Sequence, residues 1–354
     1  MTAKERPQPS WRWQQAVTGL TAVLLFALSL EVIKAGARGL TPLIKGHLCV
    51  TNAADSLGFG WLMAYLVLSG SPVAAVSLAL LSADTISPLQ AFTMISGSRL
   101  GASFVVLLIG FIYILRGHDR WSALSTGILC LLLTGSIQLL TIPLGALILN
   151  LGWVEGLEWS AVGSLSAGIG QVVEPILNPA MAALPDWTLF FLGLGLITLS
   201  FRLFDKALPQ LALQTTDLGL IPRLIYRPAI MFLVGLIVTG LTLSVSISIG
   251  ILVPLSARGY IRRENLIPYI LGANVSTLID TLAAGVLLGD PRAMGVVLIH
   301  MICGVLISAP IVLLAYHPYE RMMSSALAWI TRGKKTFALF LGAIFIIPII
   351  LVLL

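Results

Sequence analysis

Two apolar stretches of this sequence, 175 positions apart, carry the same pattern of polar interruptions. They read LVLSGSPVAAVSLALLSADTISPLQAFTMISGSRLGA at 66–102 and LTLSVSISIGILVPLSARGYIRRENLIPYILGANVST at 241–277. Aligned without a gap, they superimpose three pairs of small residues, which are Ser69 and Ser244, Ser71 and Ser246, and Gly97 and Gly272. Polar interruptions are tolerated at membrane depth only where protein or enclosed water satisfies the freed backbone groups. The pattern therefore predicts two similar halves that contain broken or re-entrant helices.

The composition is that of an integral membrane protein. Of the 354 residues, 58% are hydrophobic and 10% are charged, and the mean hydropathy is +0.99. Soluble domains carry about 25% charged residues, so a soluble fold is excluded. The net charge of +6 fits basic cytoplasmic loops better than nucleic-acid binding, and we predict no nucleic-acid partner. Cys49, Cys130 and Cys303 lie far apart and predict packing rather than disulfides or metal ligation.

Apolar runs of spanning length divide the chain into four regions. We predict a first transmembrane repeat at 1–149, a connector with one span at 150–228, a second transmembrane repeat at 229–317, and a basic turn with a final helix at 318–354. The expected fold is an all-α polytopic protein with multiple passes through the cell membrane. The predicted spans are 16–33, 59–83, 86–116, 121–149, 187–204, 229–257, 263–289, 293–316 and 337–354. Those that carry interruptions could be full spans or re-entrant hairpins.

The connector predicts how the two repeats are related. Residues 150–186 contain no Lys or Arg, which places them outside the cell by the positive-inside rule. One span, 187–204, then separates the two similar halves, and a single crossing would invert the second half relative to the first. Two inverted-topology repeats bring their broken helices face to face near the bilayer midplane. Paired interruptions of this kind are the sequence signature of a secondary transporter's binding site.

The interruptions supply the candidate site residues. Hydroxyls and backbone N–H groups at the N-termini of half-helices bind anions, because the helix dipole and the unpaired donors both favour negative charge. The predicted substrate-binding residues are Ser69, Ser71, Ser96, Gly97, Ser98, Arg99, Ser244, Ser246, Gly272, Asn274, Ser276 and Thr277. Oxygen atoms in the same interruptions can coordinate Na+, and we assign Ser248 and Asp280 to a coupling ion. Small residues that merely let helices pack closely are the alternative interpretation.

Several elements of the chain resemble the Na+/phosphate cotransporter family. They are SADTISPLQAF at 82–92, ARGYIRRENLI at 257–267, SGSRLGAS at 96–103, GANVSTL at 272–278 and LLFALSLEVIKAGARGLTPLI at 24–44. The resemblance implies an inverted-repeat fold in which paired serine elements bind Na+ and phosphate. The chain departs from the family at Leu68 and Leu243, where the family has glutamine, and at Arg99, where it has asparagine.

The charged residues inside apolar sequence allow more than one role. An arginine at membrane depth costs at least about 2.5–3.5 kcal/mol, so Arg99 is expected to be functional and paired. It could contact the anion, pair internally with Asp280 or Glu31, or extend to a membrane interface. Asp280 could hold the coupling cation, relay a proton or neutralise Arg99. His300 is interpreted as a hydrogen-bonded core residue, with a proton-carrying role as the alternative.

The sequence predicts a secondary active transporter rather than an enzyme. It contains no HExxH motif, Walker A run or G-x-G-x-x-G motif. The predicted activity is Na+-coupled symport of inorganic phosphate or a similar oxyanion by alternating access, with no cofactor other than Na+ as coupling ion. The expected partners are the anion, Na+ and the lipid bilayer, and a homodimer is a further candidate assembly. The alternatives are H+- or Na+-coupled transport of another small solute and a non-transporting scaffold of the same fold.

Overall fold

The computed structural model describes residues 9–46, 51–115, 120–152, 175, 178–179, 183–207, 227–243, 248–249 and 263–354. Within these ranges the regular structure is helical and no β-strand occurs. The helices before the connector are α1 Pro9–Gly46, α2 Ala53–Val67, α3 Ser71–Ser82, α4 Pro88–Leu115 and α5 Arg120–Asn150. Those that follow are α6 Asp186–Ala207, α7 Pro228–Thr242, α8 Arg263–Ser276, α9 Ile279–Leu288, α10 Pro291–Leu314, α11 Tyr316–Thr331 and α12 Lys334–Leu353.

Seven segments of the described chain are long and apolar enough to cross a membrane. They are Trp13–Gly39, Pro88–Ile112, Leu124–Asn150, Asp186–Phe204, Asn265–Leu288, Pro291–Leu314 and Lys334–Leu353. An α-helical, multi-pass membrane protein is therefore confirmed. Helices α2, α3 and α7 are also apolar but have only 10–17 residues, fewer than the roughly 20 that a bilayer requires.

The structure departs from the predicted spans in two places: α1 is longer than the span predicted within it, and one predicted break is absent. The first helix extends from Pro9 to Gly46 rather than over 16–33. Helix α4 runs without interruption through Ser96–Ser103, where the sequence predicted a polar break. The hydroxyls of Ser96 and Ser98 donate to carbonyl oxygens of their own helix, over 3.0 Å and 2.7 Å. Since these polar groups are satisfied within α4, their presence does not interrupt it.

The first predicted interruption occurs in both halves. Helices α2 and α7 each have 15 residues and begin 175 positions apart, at Ala53 and Pro228. Each ends in a leucine in the left-handed conformation, Leu68 with φ 54° and Leu243 with φ 50°. This conformation ends a helix because it turns the chain away from the helical path. Equivalent positions in the two halves therefore share a local backbone geometry that is uncommon for leucine.

Glycines hold the helices together at equivalent crossings. A Cβ atom added to Gly97 on α4 would overlap the carbonyl oxygen of Leu57 on α2. A Cβ added to Gly272 on α8 would overlap the carbonyl oxygen of Phe232 on α7 in the same way. Both the glycines and the carbonyls are 175 positions apart in the sequence. The α2–α4 and α7–α8 pairs thus cross through backbone contacts that only glycine permits.

Helix α3 lies at the centre of the molecule. All of its residues are buried, and it packs against α1, α4, α9 and α10. The surrounding core includes Phe26 and Leu30 from α1, Phe92 from α4 and Leu288 from α9. Because α3 begins with Ser71, this packing fixes the first predicted serine element inside the protein.

Helix α11 differs in character from its neighbours. It lies between the two spans of α10 and α12, and it is amphipathic. One face is buried and consists of Tyr319, Met323, Leu327 and Ile330. Helices of this kind lie along the surface of a bilayer or of a helix bundle rather than crossing it.

Candidate functional site

A buried arginine from the first half contacts the helix break of the second half. Arg99 on α4 is 4% exposed. Its Nη1 atom donates to the hydroxyl of Thr277 over 2.8 Å, and its Nη2 atom donates to the hydroxyl of Thr281 over 3.2 Å. These two threonines flank the junction between α8 and α9. The guanidinium therefore joins residues that lie almost 180 positions away in the chain.

Asp280 completes this cluster. Its side chain is buried, and its Oδ1 atom accepts a hydrogen bond of 2.8 Å from the Thr281 hydroxyl. The Ser71 hydroxyl, at the start of α3, and the charge of Arg99 also act on this carboxylate. Thr281 thus bridges the guanidinium and the carboxylate. We call Ser71, Arg99, Thr277, Asp280 and Thr281 the central cluster.

The local backbone explains why the acceptors lie here. Helix α8 ends at Ser276, a turn at Thr277 and Leu278 follows, and α9 begins at Ile279. The side chain of Leu278 provides no cap for the first N–H groups of α9. A helix N-terminus carries partial positive charge and unpaired donors, whereas the end of α8 presents partly unpaired carbonyls. The break therefore places groups that attract anions and groups that attract cations side by side.

Two atoms of the central cluster retain bonding capacity. Among the described residues, Arg99 Nε and Asp280 Oδ2 are buried and have no hydrogen-bond partner. Buried polar atoms in native proteins nearly always have partners, so each such atom needs an explanation. One atom is a donor on a cationic group and the other is an acceptor on an anionic group. Each of these atoms can accept or donate one further hydrogen bond.

A cavity of about 510 Å³ adjoins the cluster at Asp280. Its other lining residues are apolar, among them Phe26 of α1, Phe204 of α6 and Leu243 at the end of α7. Cavities of this size are typical of binding sites for small molecules. Because its other walls are apolar, this cavity is a poor binding site for an inorganic ion.

Other predicted substrate residues have local roles in this structure. Ser96, Ser98 and Ser276 donate their hydroxyl hydrogen bonds to carbonyls of their own helices. Gly97 and Gly272 form the helix crossings described above. The three serines thus bond within their own helices, and the two glycines lie where helices cross.

Asn274, Ser69 and Ser248 make no hydrogen bond to Arg99 among the described residues. The Asn274 amide donates to the Thr134 hydroxyl over 3.1 Å. Ser69 is half-buried in the break between α2 and α3. The Ser248 hydroxyl, predicted to share a coupling ion with Asp280, bonds instead to the hydroxyls of Thr239 and Tyr269, over 2.6 Å and 2.7 Å. Ser244 and Ser246 lie outside the described residues.

The structure narrows the alternatives for the charged residues. Arg99 is too deeply buried to extend to a membrane interface. Glu31 lies 4.0 Å from Lys34, whereas the charge that Arg99 meets is that of Asp280. His300 is 2% exposed and its Nε2 atom lies 3.3 Å from the Gln138 amide nitrogen, as expected for a hydrogen-bonded core residue. Cys130 and Cys303 are buried free thiols, and Cys49 lies outside the described residues.

One residue of the cluster was missed by sequence reasoning. Thr281 was not a predicted site residue, although it follows Asp280 directly and lies four positions after Thr277. On a helix, residues four positions apart share a face. The pattern Thr-x-x-Asp-Thr within apolar sequence is the signal that could have identified it. Among the described residues, no group of three His, Cys, Asp or Glu side chains is arranged to hold a metal ion.

A second set of charges links the halves at the start of α10. Arg292 Nη1 contacts Asp84 Oδ1 over 2.9 Å, and Arg292 Nη2 contacts Asp290 Oδ2 over 3.0 Å. Asp84 follows α3 in the first half, and Asp290 precedes α10 in the second. Burial raises the pKa of Asp290, but hydrogen bonds and charge from Arg292 outweigh burial and hold that pKa below its ordinary value of 3.8.

Comparisons with known proteins do not assign the chain to a family. No protein-family model, curated protein or solved structure matches it.

Proposed function

We propose that the protein is a secondary active transporter that carries inorganic phosphate or a similar oxyanion together with Na+. The observation that supports this proposal most strongly is the central cluster. There a buried guanidinium from one half meets a helix break and a buried carboxylate from the other half. Charged groups at membrane depth are expensive and mark ion pathways by default. The resemblance to Na+/phosphate cotransporters in sequence supports the same activity.

The anion would bind between Arg99 and the start of α9. Guanidinium groups match tetrahedral oxyanions well, because their N–H groups form parallel hydrogen bonds to two oxygens. Arg99 Nε has no partner among the described residues, and the N–H groups at the start of α9 have no side-chain cap from Leu278. The anion would take up these donors and compete with the hydroxyls of Thr277 and Thr281 for the guanidinium.

The coupling cation would bind at Asp280. Its Oδ2 atom lacks a partner among the described residues, and the Ser71 hydroxyl lies against the same carboxylate. Carboxylate, hydroxyl and freed carbonyl oxygens at a helix break form the usual environment for Na+ in transporters. A cation beside Asp280 would release Arg99 from neutralising that carboxylate. Cation binding would thereby strengthen anion binding, which is the thermodynamic basis of symport.

Alternating access would come from movement of one half against the other. The members of the cluster are buried, so an anion would reach them only after movement within the protein. The matched α2–α4 and α7–α8 pairs are the natural rigid units, since each is held by backbone contacts at glycine. We propose that α6, the one span between the halves in the described part of the chain, makes the second repeat inverted relative to the first.

The test is uptake of labelled phosphate into proteoliposomes, with and without an inward Na+ gradient. Arg99→Lys keeps the charge but loses the planar fork, and it should raise the half-saturating phosphate concentration by about ten- to a hundredfold. Arg321→Lys is the matched control, because Arg321 lies on α11 and bonds only over 3.3 Å to the carbonyl of His317. Equal effects of the two substitutions would contradict the assignment of the anion site.

The same experiment separates the alternative functions. Thermal stabilisation by Na+ without phosphate uptake would indicate transport of another solute. Absence of both responses would favour a non-transporting scaffold in which the central cluster only holds the halves together. Stimulation of uptake by a proton gradient in the absence of Na+ would assign the coupling role to H+.

A further inference from the structure

An apolar groove lies between α12 and the pair formed by α4 and α5. Its volume is about 620 Å³, and every described residue that lines it is Phe, Leu or Ile. The three helices each contain a segment able to span a membrane. Phe111 and Leu115, on the α4 side, are 50% and 72% exposed. The groove therefore opens toward the lipid that surrounds such spans.

The length of the groove matches one leaflet of a bilayer. On α4 its lining extends from Phe104 to Leu115, and on α12 it extends from Phe337 to Phe345. At 1.5 Å per residue these stretches are about 16 Å and about 12 Å long, close to half of the roughly 30 Å hydrocarbon core. At one end the rings of Phe104 and Phe345 meet edge to face, with centroids 5.3 Å apart. The groove thus has the dimensions and lining that suit one acyl chain.

The other end of the groove lies next to a basic turn. Arg332, Lys334 and Lys335 stand between α11 and the first turn of α12, and all three are exposed. None of them forms an ion pair within the described part of the chain. The sequence contains no Asp or Glu after Glu320. This turn is therefore a local positive charge without an acidic counterpart nearby in the sequence, and such charges at a membrane surface attract anionic lipids.

Lys334 stands on the same face of α12 as the groove. The groove-lining residues of this helix follow it at intervals of three and four positions, which is the spacing of one helical face. They are Phe337, Leu341 and Phe345. Lys335 is displaced by about 100° around the helix. It lies nearer the face of Leu339, which is 63% exposed and does not line the groove. One basic side chain is therefore aligned with the groove and its neighbour is not.

The turn that carries these charges is held by Thr336. Its hydroxyl lies 3.0 Å from the carbonyl oxygen of Ile330 on α11 and accepts a hydrogen bond of 3.2 Å from the Gly333 N–H. Trp329, one residue before Ile330, is 51% exposed, and tryptophan is enriched at the level of lipid headgroups. Thr336 thus fixes the charges at the end of the groove, at the depth where a headgroup would lie.

We propose that the groove and the basic turn together form a binding site for an anionic phospholipid. One acyl chain occupies the groove, and the phosphate of the headgroup contacts Lys334 and Arg332. A soluble anion would use only the basic turn, and an uncharged chain would use only the apolar lining. A phospholipid accounts for both. The site shares no residue with the central cluster, so this inference does not depend on the proposed transport activity.

The test is a titration of the full chain in detergent with phosphatidylglycerol and with phosphatidylcholine of the same chain length. Native mass spectrometry measures the fraction of protein that retains a lipid. Phosphatidylglycerol should bind at least about fivefold more tightly, the effect of one basic residue near a membrane surface. Equal affinities for the two lipids would overturn the proposal. Glycerol 3-phosphate, which carries the charge without the chains, should not compete; effective competition would show a site for soluble anions and would also overturn it.

Two neighbouring lysines separate a built site from diffuse attraction. Lys334→Gln should weaken phosphatidylglycerol binding by about fivefold. Lys335→Gln, the matched control, removes the same charge on the other side of the helix and should weaken it by less than twofold. Equal effects of the two substitutions would overturn the proposal, because the headgroup would then not be aligned with the groove. Both lysines are exposed, so neither substitution disturbs the packed interior.

Two leucines test the acyl-chain part of the site. Leu341→Trp fills the groove and should weaken phosphatidylglycerol binding by at least about tenfold, because the chain loses its apolar contacts. Leu339→Trp adds the same bulk away from the groove and should leave binding unchanged. The thermal unfolding midpoint in lipid-free detergent shows that both variants are folded. Unchanged binding to Leu341→Trp would overturn the proposal. A dimer that dissociates on the same substitution would assign the groove to a second copy of the chain and would overturn it as well.

Discussion

The two halves of this protein are alike in packing and different in chemistry. Helices α4 and α8 begin at equivalent positions and cross their partners through equivalent glycines, Gly97 and Gly272. Yet α4 continues to Leu115, whereas α8 stops at Ser276 and gives way to the Thr277–Leu278 turn. The first half thus supplies an unbroken helix that carries the charged Arg99. The second half supplies a broken helix whose threonines accept hydrogen bonds from that side chain.

The charged position shows this difference most clearly. Arg99 and Asn274 are equivalent in the two repeats, 175 positions apart. Arg99 reaches across to the other half, whereas Asn274 bonds to Thr134 on α5. Small residues that govern helix crossing have stayed the same, while the polar side chains beside them have taken separate roles.

The largest expected effect comes from separating the charges of the central cluster. Asp280→Asn or Arg99→Met alone should reduce the free energy of unfolding by about 3–5 kcal/mol, because each leaves an uncompensated buried charge. The double variant should lose much less than the sum of the two. The equivalent position offers the contrast, since Asn274→Ala should cost only about 1 kcal/mol, the value of a neutral hydrogen bond. Chemical denaturation in detergent measures the free energy of unfolding of the four variants and of the unaltered protein.

A double-variant cycle decides whether the two charges act together. Additive effects of Arg99→Met and Asp280→Asn would contradict the coupling that the Thr281 bridge implies. Thr281→Ser, which keeps the bridging hydroxyl, serves as the control and should remain close to the unaltered protein. If Arg99→Met and Asn274→Ala lowered the free energy of unfolding equally, the proposed difference between the halves would be contradicted.

The glycine crossings should respond equally in both halves. Gly97→Ala and Gly272→Ala each place a methyl group against backbone on the partner helix, and each should destabilise by about 1–3 kcal/mol. Thermal unfolding of the two single variants gives the comparison, with Gly195→Ala as the control that meets no neighbour. A large effect in one half alone would show that the crossings are not equivalent in energy.

The left-handed leucines should also behave as a matched pair. The left-handed conformation is unfavourable by roughly 1 kcal/mol for a residue with a Cβ atom, but not for glycine. Leu68→Gly and Leu243→Gly should therefore raise the free energy of unfolding by up to about 1 kcal/mol each, less whatever apolar contact the leucine loses. Marked destabilisation by either substitution would mean that the leucine side chain matters more at that break than its backbone angle does.

The smallest expected effect is a dependence on acid pH at the Arg292 link. The pKa of Asp290 is lowered in the folded protein, so its contribution to stability is present above the ordinary pKa of 3.8 and is lost as the pH falls through the lower folded value. Arg292 is partly exposed, and the contribution should be only a few tenths to about 1 kcal/mol. Unfolding midpoints measured from pH 6 down to pH 3 should fall less for Asp290→Asn. If Asp290→Asn and the unaltered protein lose stability identically as the pH falls, Asp290 is not the cause of that loss.

Sequence reasoning located the first break in each half and the residues that most constrain the site. Alignment of the repeats placed the breaks next to Leu68 and Leu243, and hydropathy identified Arg99 and Asp280 as exceptional. It was wrong about a break at 96–103, where α4 continues without interruption. Ser96 and Ser98 do bond within α4. Composition alone does not distinguish these two outcomes.

The central cluster itself could not be derived from the sequence. Which of several polar residues meet depends on the rotation of each helix about its axis, and packing between distant segments sets that rotation. Ser71 and Arg99 face the second half, whereas Ser96 and Ser98, on the same helix as Arg99, do not reach it. Thr281 was missed because a threonine in a helix usually bonds to its own backbone.

The division of the central contact between two segments has a consequence for how the sequence can change over generations. One half encodes the donor, Arg99, and the other encodes its acceptors, Thr277 and Thr281. A substitution on either side is tolerated or rejected according to what stands on the other. Selection is therefore expected to act on the donor and its acceptors together. A related protein that lacks the arginine is expected to differ at the threonines or at Asp280 as well.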